Sequence, residues 1–230
     1  LQGVMQDQLT VEIDGERRQV DEATARSMRS FARFPAALDD TPQITIEPSM
    51  RAEMTVDLAL ARTLLDELGY DKAKLPDSLE GAKVSIDLSS AVRALYGACE
   101  TGTENPRRPS DWSDGCLVLL QFPAPEVSAP SELDLDQLGQ AYLQLLGMDP
   151  DKAARYSERV DWATTLIVPL PDSVSLSYKD VAVEGVPGTV IRSPRHREDY
   201  ALTWIKNGIV YALLGTGSDA EALEIAASLR

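Results

Sequence analysis

YALTWIKNGIVYALLGTGSDAEALEIAASLR, residues 200–230, is the stretch that decides the fold. Asn207-Gly208 separates two alternating apolar runs. A type I′ turn needs positive φ at both central residues, and Asn-Gly meets that need at low cost. A loop this tight predicts a register. Lys206 faces Ile209, Ile205 faces Val210, Trp204 faces Tyr211 and Leu202 faces Leu213. Trp204, Tyr211, Leu202 and Leu213 then share one face. The other face, with Thr203, Ile205, Val210, Ala212 and Leu214, is apolar enough to be covered as well. The reading is a central hairpin, not an edge. Gly215-Thr216-Gly217 ends the second strand. Ser218-Asp219-Ala220-Glu221 is a capping box, and Ala222, Ile225, Ala226 and Leu229 follow as one helical stripe. Gly215-x-Gly217-x-x-Ala220 mimics the start of a dinucleotide fingerprint. That motif needs a later parallel strand with an acidic residue, and 230 is the last position, so turn plus cap explains the glycines.

Working outward, the 230 residues are 43% hydrophobic, enough for one large or two small domains. The net charge is −15. Phosphate backbones and anionic headgroups are recognised by clustered Lys and Arg, so this balance argues against nucleic acid and against direct adhesion to lipid. It favours solubility, or a basic partner. No apolar run approaches the ~18 residues of a membrane span. Leu1 stands where an initiator Met would, so the chain reads as an excised piece, with any anchor outside it.

Cys99 and Cys116 are the two cysteines. They enclose ETGTENPRRPSDWSDG, a polar, turn-rich excursion. This pattern reads as a disulfide and hence an oxidising, extracytoplasmic compartment; the alternative is two unrelated buried thiols. Zinc lacks ligands, with no further Cys and a single His.

Upstream, Leu9, Val11 and Ile13 alternate before Asp14-Gly15, predicting a short hairpin. Asp21 caps a helix expected to reach Phe34. Ile44–Ile46 is a brief strand. Thr55–Leu68 is a helix, with Leu60, Leu64 and Leu68 at i+4 and Gly69 as its stop. Ala82–Leu88 is a strand, Ala91–Tyr96 a short helix, and Leu117–Phe122 a buried strand. PAPEVSAPSE, residues 123–132, is the candidate boundary or a long crossover, giving regions 1–125 and 126–230 that could also be one continuous domain. Leu133–Leu146 is an amphipathic helix. Asp149-Pro150 starts another, with Pro at N1. Thr164–Val168 is a strand. Val174, Leu176, Tyr178, Val181, Val183 and Thr189–Ile191 read as a meander around Gly185 and Gly188. The sum is α+β, an antiparallel sheet with helices on one side, open to curvature as a half-barrel.

Chemistry is sparse. His196, the single histidine, lies in Ser193-Pro194-Arg195-His196-Arg197, which reads as a surface loop. A Ser-His-Asp triad would need it, yet no G-x-S-x-G elbow exists, and Ser218 is explained as a cap. Asp161-Trp162 is the acid–aromatic pair that a carboxylate-dependent glycan hydrolase would use; core Trp162 beside a turn Asp161 is the plainer reading. Asp111-Trp112-Ser113-Asp114-Gly115 has acids at the wrong offsets for an EF-hand. Arg107-Arg108 is a small basic spot able to touch a partner. The five methionines are scattered and mark no groove. No catalytic, cofactor or metal set emerges.

The run VAVEGVPGTVIRS, the hairpin YALTWIKNGIVYALLG and the helix DAEALEIAASL resemble a domain of unknown function from extracytoplasmic parts of bacterial anti-sigma-factor-type, membrane-tethered proteins. The residues carrying the likeness are Val181, Val183, Gly185 and Gly188; Leu202, Trp204, Gly208, Tyr211, Leu213 and Gly215; Ile225, Ala226, Ser228 and Leu229. They cover the last quarter of the chain and are structural. In outline the pattern is similar to lipoprotein carriers and periplasmic stress sensors, which are half-barrels with a helical plug. The resemblance implies a non-enzymatic sensory or binding domain, tied to the membrane only through an anchor outside these residues. Its partner would be a protein or a hydrophobic envelope ligand. A periplasmic lipid or lipoprotein carrier is the alternative, and the glycan hydrolase another.

Overall fold

The structure, a computed structural model, describes residues 9–67, 77–99, 115–136, 139–140, 143, 148–158, 177–192 and 198–230. It divides into two units, each assembled from three segments. The first holds Leu1–Asp14, Ser49–Leu88 and Pro125–Pro169; the second holds Gly15–Pro48, Ser89–Ala124 and Leu170–Arg230. Residues on both sides of position 125 contribute to each unit. The fold is α+β, with two open antiparallel sheets and no closed barrel.

Asn207 and Gly208 have φ of 54° and 73°, the left-handed pair that the tight turn requires. They join β11 (Asp199–Lys206) to β12 (Ile209–Thr216) in the register read from the sequence. The hairpin is central. β12 also pairs with β7 (Cys116–Pro123), and β11 with β10 (Val186–Arg192), whose other neighbour is the edge strand β9 (Ser177–Val183). On the far side, β7 is followed by β6 (Val92–Gly97), β3 (Gln43–Ile46) and β2 (Arg18–Val20). One row of facing residues crosses all eight strands: Val20, Ile44, Ala94, Leu119, Leu213, Leu202, Val190 and Lys179. Leu119, Leu202 and Leu213 are fully buried there. The next row stacks Trp204 on Tyr211, with ring centroids 5.1 Å apart. Gly188, opposite Trp204, lies inside β10 and not at a turn; a Cβ there would sit 3.0 Å from the Thr203 carbonyl oxygen and 3.2 Å from Trp204 Cβ. The turn is Glu184-Gly185, again with positive φ.

Two helices add to the same core. α1 (Glu22–Met28) contributes Ala25, and α4 (Asp219–Ala227) contributes Ala222 and Ala226. Asp21 caps α1 by accepting from the Thr24 N–H at 2.7 Å. The helix stops at Met28, short of Phe34, because the later backbone is used elsewhere. Phe34 exchanges two 3.1 Å hydrogen bonds with Arg230. Arg33 is held by Gln121, which is wholly buried: its Oε1 accepts from the Arg33 N–H at 2.7 Å, and its Nε2 donates to the Arg33 carbonyl at 2.8 Å. A buried amide with both ends matched becomes costly when one side is deleted. Gln121→Ala should therefore cost about 2 kcal/mol in urea unfolding; a loss indistinguishable from zero would show that water replaces the amide.

In the first unit, β1 (Leu9–Asp14) does not fold back on β2. It pairs with β4 (Ser49–Thr55), a strand absent from the sequence reading, followed by β5 (Lys83–Leu88) and β8 (Glu126–Ser128). Gly15 turns the chain, but the strands flanking it join different sheets. Val11, Ala52, Ile86 and Val127 form an apolar row across this sheet. Its polar face carries the Arg51–Asp87 ion pair at 2.9 Å. α2 (Leu58–Glu67) starts later than expected because β4 takes Thr55; Leu58 packs with Leu79 and Leu133. α3 (Pro150–Ser157) is capped by Asp149, as its sequence indicates. β8 lies in the proline-rich stretch, at a sheet edge where missing N–H donors are tolerated.

Ala91–Tyr96, expected as a short helix, differs in type. It is β6, not a helix: Val92, Ala94 and Tyr96 are buried in alternation and pairing saturates both edges. Thr164–Val168, Leu68-Gly69, Val174, Leu176 and much of 133–146 lie outside the described residues. Among those described, no helix is long and apolar enough to cross a membrane.

Candidate functional site

Gly97 of β6 pairs with Cys116 of β7. Cys99, two residues further on, is bonded to Cys116 in a disulfide with Cα atoms 4.7 Å apart. The corner depends on glycine. Gly97 has φ of 75°, and a Cβ on it would lie 2.1 Å from the Gly115 carbonyl oxygen. The Cys99 N–H donates to the Gly97 carbonyl at 2.9 Å, tightening the turn.

Beside this corner is a cleft of about 480 Å³, bounded by Ala37, Leu38 and Asp40, by α4 and by the ends of β11 and β12. Its floor carries Tyr96 and Tyr200, 4% and 2% exposed. Gly215 makes room for Tyr200, since a Cβ there would come within 3.2 Å of the Tyr200 hydroxyl and 2.8 Å of Leu117 Cδ1. Burial pushes the Tyr200 hydroxyl up to about 12, with Glu221 adding and the Arg192 guanidinium, 5.7 Å from the ring centroid, opposing. Burial likewise raises Tyr96, with Glu22 adding and Arg26 opposing. Both phenols stay neutral at physiological pH. The Tyr96 hydroxyl is sealed from solvent and has no hydrogen-bond partner among the described residues.

Asp40, Glu221 and Glu224 supply carboxylates to the lining. Glu221 is held by the capping box: its Oε2 accepts from the Ser218 N–H at 2.8 Å and from the Ser218 hydroxyl at 2.9 Å, which keeps its carboxyl below the usual range. Asp219 bonds Lys179 and Arg192, tying the start of α4 to β9 and β10; these bonds hold its carboxyl low as well. Gly215 and Gly217 thus serve a close approach and a cap. Among the described residues no group of His, Cys, Asp and Glu is arranged to hold a metal ion.

A smaller cleft, about 360 Å³, runs past Trp204, Tyr211, Arg33, Lys206 and Glu184. Lys206 and Glu184 pair with each other there, and the two rings are almost wholly buried.

Of the residues singled out from the sequence, Cys99 and Cys116 are brought together. His196, Asp161, Trp162, Arg107, Arg108, Asp111 and Asp114 lie outside the described residues. Asp40, Tyr96, Tyr200 and Glu224 carried no signal of their own. Tyr200 alternates with Leu202 and Trp204, which marks it as core. No family model matches the chain, and the searches of curated proteins and of solved structures found no match.

Proposed function

We propose that this chain is an extracytoplasmic binding or sensory domain, with the cleft beside the disulfide as its binding site. The Cys99–Cys116 bond carries this reading. Disulfides persist in oxidising compartments, and this one clamps the corner that forms one wall of the cleft. The anti-sigma-factor-type resemblance of residues 181–229 supports a membrane-tethered bacterial protein, with a role in regulating a sigma factor as the finer reading. A lipid carrier would need an apolar cavity over the sheet; Leu119, Leu202 and Leu213 fill that space in the second unit, which favours a binding domain. The test is alkylation of the protein as isolated from its native host, without reductant. No labelled cysteine before reduction and two after it are expected. Two freely labelled thiols in native protein would sink the assignment.

A further inference from the structure

We propose that β1, the edge strand of the first unit's sheet, is a docking site for an extended segment of a partner protein. The segment alternates apolar residues with Lys or Arg and joins the sheet as a further strand. This surface is separate from the cleft. β1 ends the order β1-β4-β5-β8 and pairs only with β4 among the described residues, which leaves its outer line of backbone N–H and C=O groups open. Open edges recruit strands, and folds blunt those they do not use with short length, Pro or Lys. The other three edges are blunted. β2 and β8 have three residues each, β8 directly after Pro125, and β9 carries Lys179, which pairs with Asp219 at 2.7 Å. β1 has six residues and neither Pro nor Lys. Its apolar side chains are uncovered as well: Val11 and Ile13 are 50% and 67% exposed, and Met54, opposite Leu9, is exposed beside them. Acidic residues by themselves are weak evidence in a chain of net charge −15, but the order of charge across the sheet selects the partner. One row on the polar face runs Glu12, Arg51, Asp87. Arg51 turns its guanidinium to Asp87, both of whose carboxylate oxygens accept at 2.9 Å, and to the Ser85 hydroxyl. Glu12, at the rim, has no ion pair among the described residues. A cation opposite it continues the alternation of sign, and facing opposite charges stabilise a strand pair where like charges destabilise it. A second copy is the poorer occupant. Leu9–Asp14 holds no Lys or Arg to set against Glu12, and two chains of net charge −15 repel each other. Main-chain pairing then supplies affinity, and the alternate side chains supply selectivity.

The test titrates the full chain, isotope-labelled, with the acetylated and amidated peptide Thr-Lys-Val-Lys-Val-Lys-Thr, following backbone amides by NMR. Saturable shifts centred on β1 and β4 are expected, with slower hydrogen exchange at alternate β1 amides, as an added strand requires. A peptide of the same composition without alternation, Lys-Lys-Lys-Thr-Thr-Val-Val, should bind about tenfold more weakly, and so should one with Glu in place of each Lys. Glu12→Lys should reverse the preference, so that the Glu peptide binds tighter than the Lys peptide. Asp39→Lys, the same change of charge on an exposed residue of the second unit, should alter binding less than about twofold. Ile13→Lys should weaken it about fivefold, through lost apolar contact and like charge. Glu12 and Ile13 are exposed, so these variants should keep the parent fold. Equal binding of the rearranged peptide, an unchanged preference in Glu12→Lys, or shifts centred on the second unit would overturn the proposal. So would saturation without slower exchange in β1, or no binding at all. Sedimentation of the chain alone should give the mass of one chain; a dimer broken by Ile13→Lys would assign the edge to a second copy and overturn the proposal as well. The thiol-alkylation result stands or falls independently of these outcomes.

Discussion

Replacing both Cys99 and Cys116 by serine should lower the stability of the second unit by about 3 kcal/mol, the chain-entropy value for a loop of this size. The cysteines are 17 positions apart, and the bond removes the freedom of the intervening segment only in the unfolded chain. The folded corner has supports of its own. Gly97 and Gly115 carry the positive φ values, and β6 and β7 remain paired from Val92 to Gly97. The variant should therefore fold, with the sheet intact. In a chain of this length each kcal/mol moves the midpoint by roughly 2–4 °C, so a fall of roughly 6–12 °C is expected. The two units need not unfold together, which makes a single melting curve ambiguous. Hydrogen exchange of the β6 and β7 amides reports on the second unit alone. Unchanged protection in the serine variant would show that the bond does not restrain the unfolded chain.

The hairpin and final helix were legible because every local signal agreed. Asn207-Gly208 set the turn, alternation set the faces, and Ser218 with Glu221 set the helix start; the structure has the same register and cap. Ala91–Tyr96 shows the opposite case. Alanine, arginine and leucine favour a helix locally, while the alternation of Val92, Ala94 and Tyr96 fits a pleated strand. The deciding partners are β3, about fifty positions earlier, and β7, about twenty later. Neither is visible in a local window. The same holds for β1, whose partner β4 is reached only after the chain has passed through the second unit. The cleft is the extreme case. It draws Tyr96, Tyr200 and Glu224 from β6, β11 and α4, and Asp40 from the connection before β3, with no spacing to betray them. Only its disulfide edge was readable, because a polar excursion between two cysteines is a local pattern.

Leu213→Ala should cost about 4 kcal/mol, toward the upper end of the range for buried leucine truncations. Leu213 is fully buried at the middle of the row that crosses all eight strands, flanked by Leu119 and Leu202, which are also fully buried. The cost of such a deletion depends on how far the surroundings collapse into the space. Here both flanking side chains stand on strands hydrogen-bonded on each side, so neither backbone can shift inward without breaking pairs. The roof offers little either: Ala222 and Ala226 of α4 have no side-chain length to extend into a void. Leu214, the next residue, points to the opposite face and is only partly buried. Leu214→Ala should cost about 1 kcal/mol, mostly the transfer contribution of the removed carbons. Urea unfolding of the two variants, read by hydrogen exchange in β12, compares the faces directly. Equal losses would mean that the two faces are equally enclosed, and that the helix-covered side of the sheet is not the dominant core of the second unit.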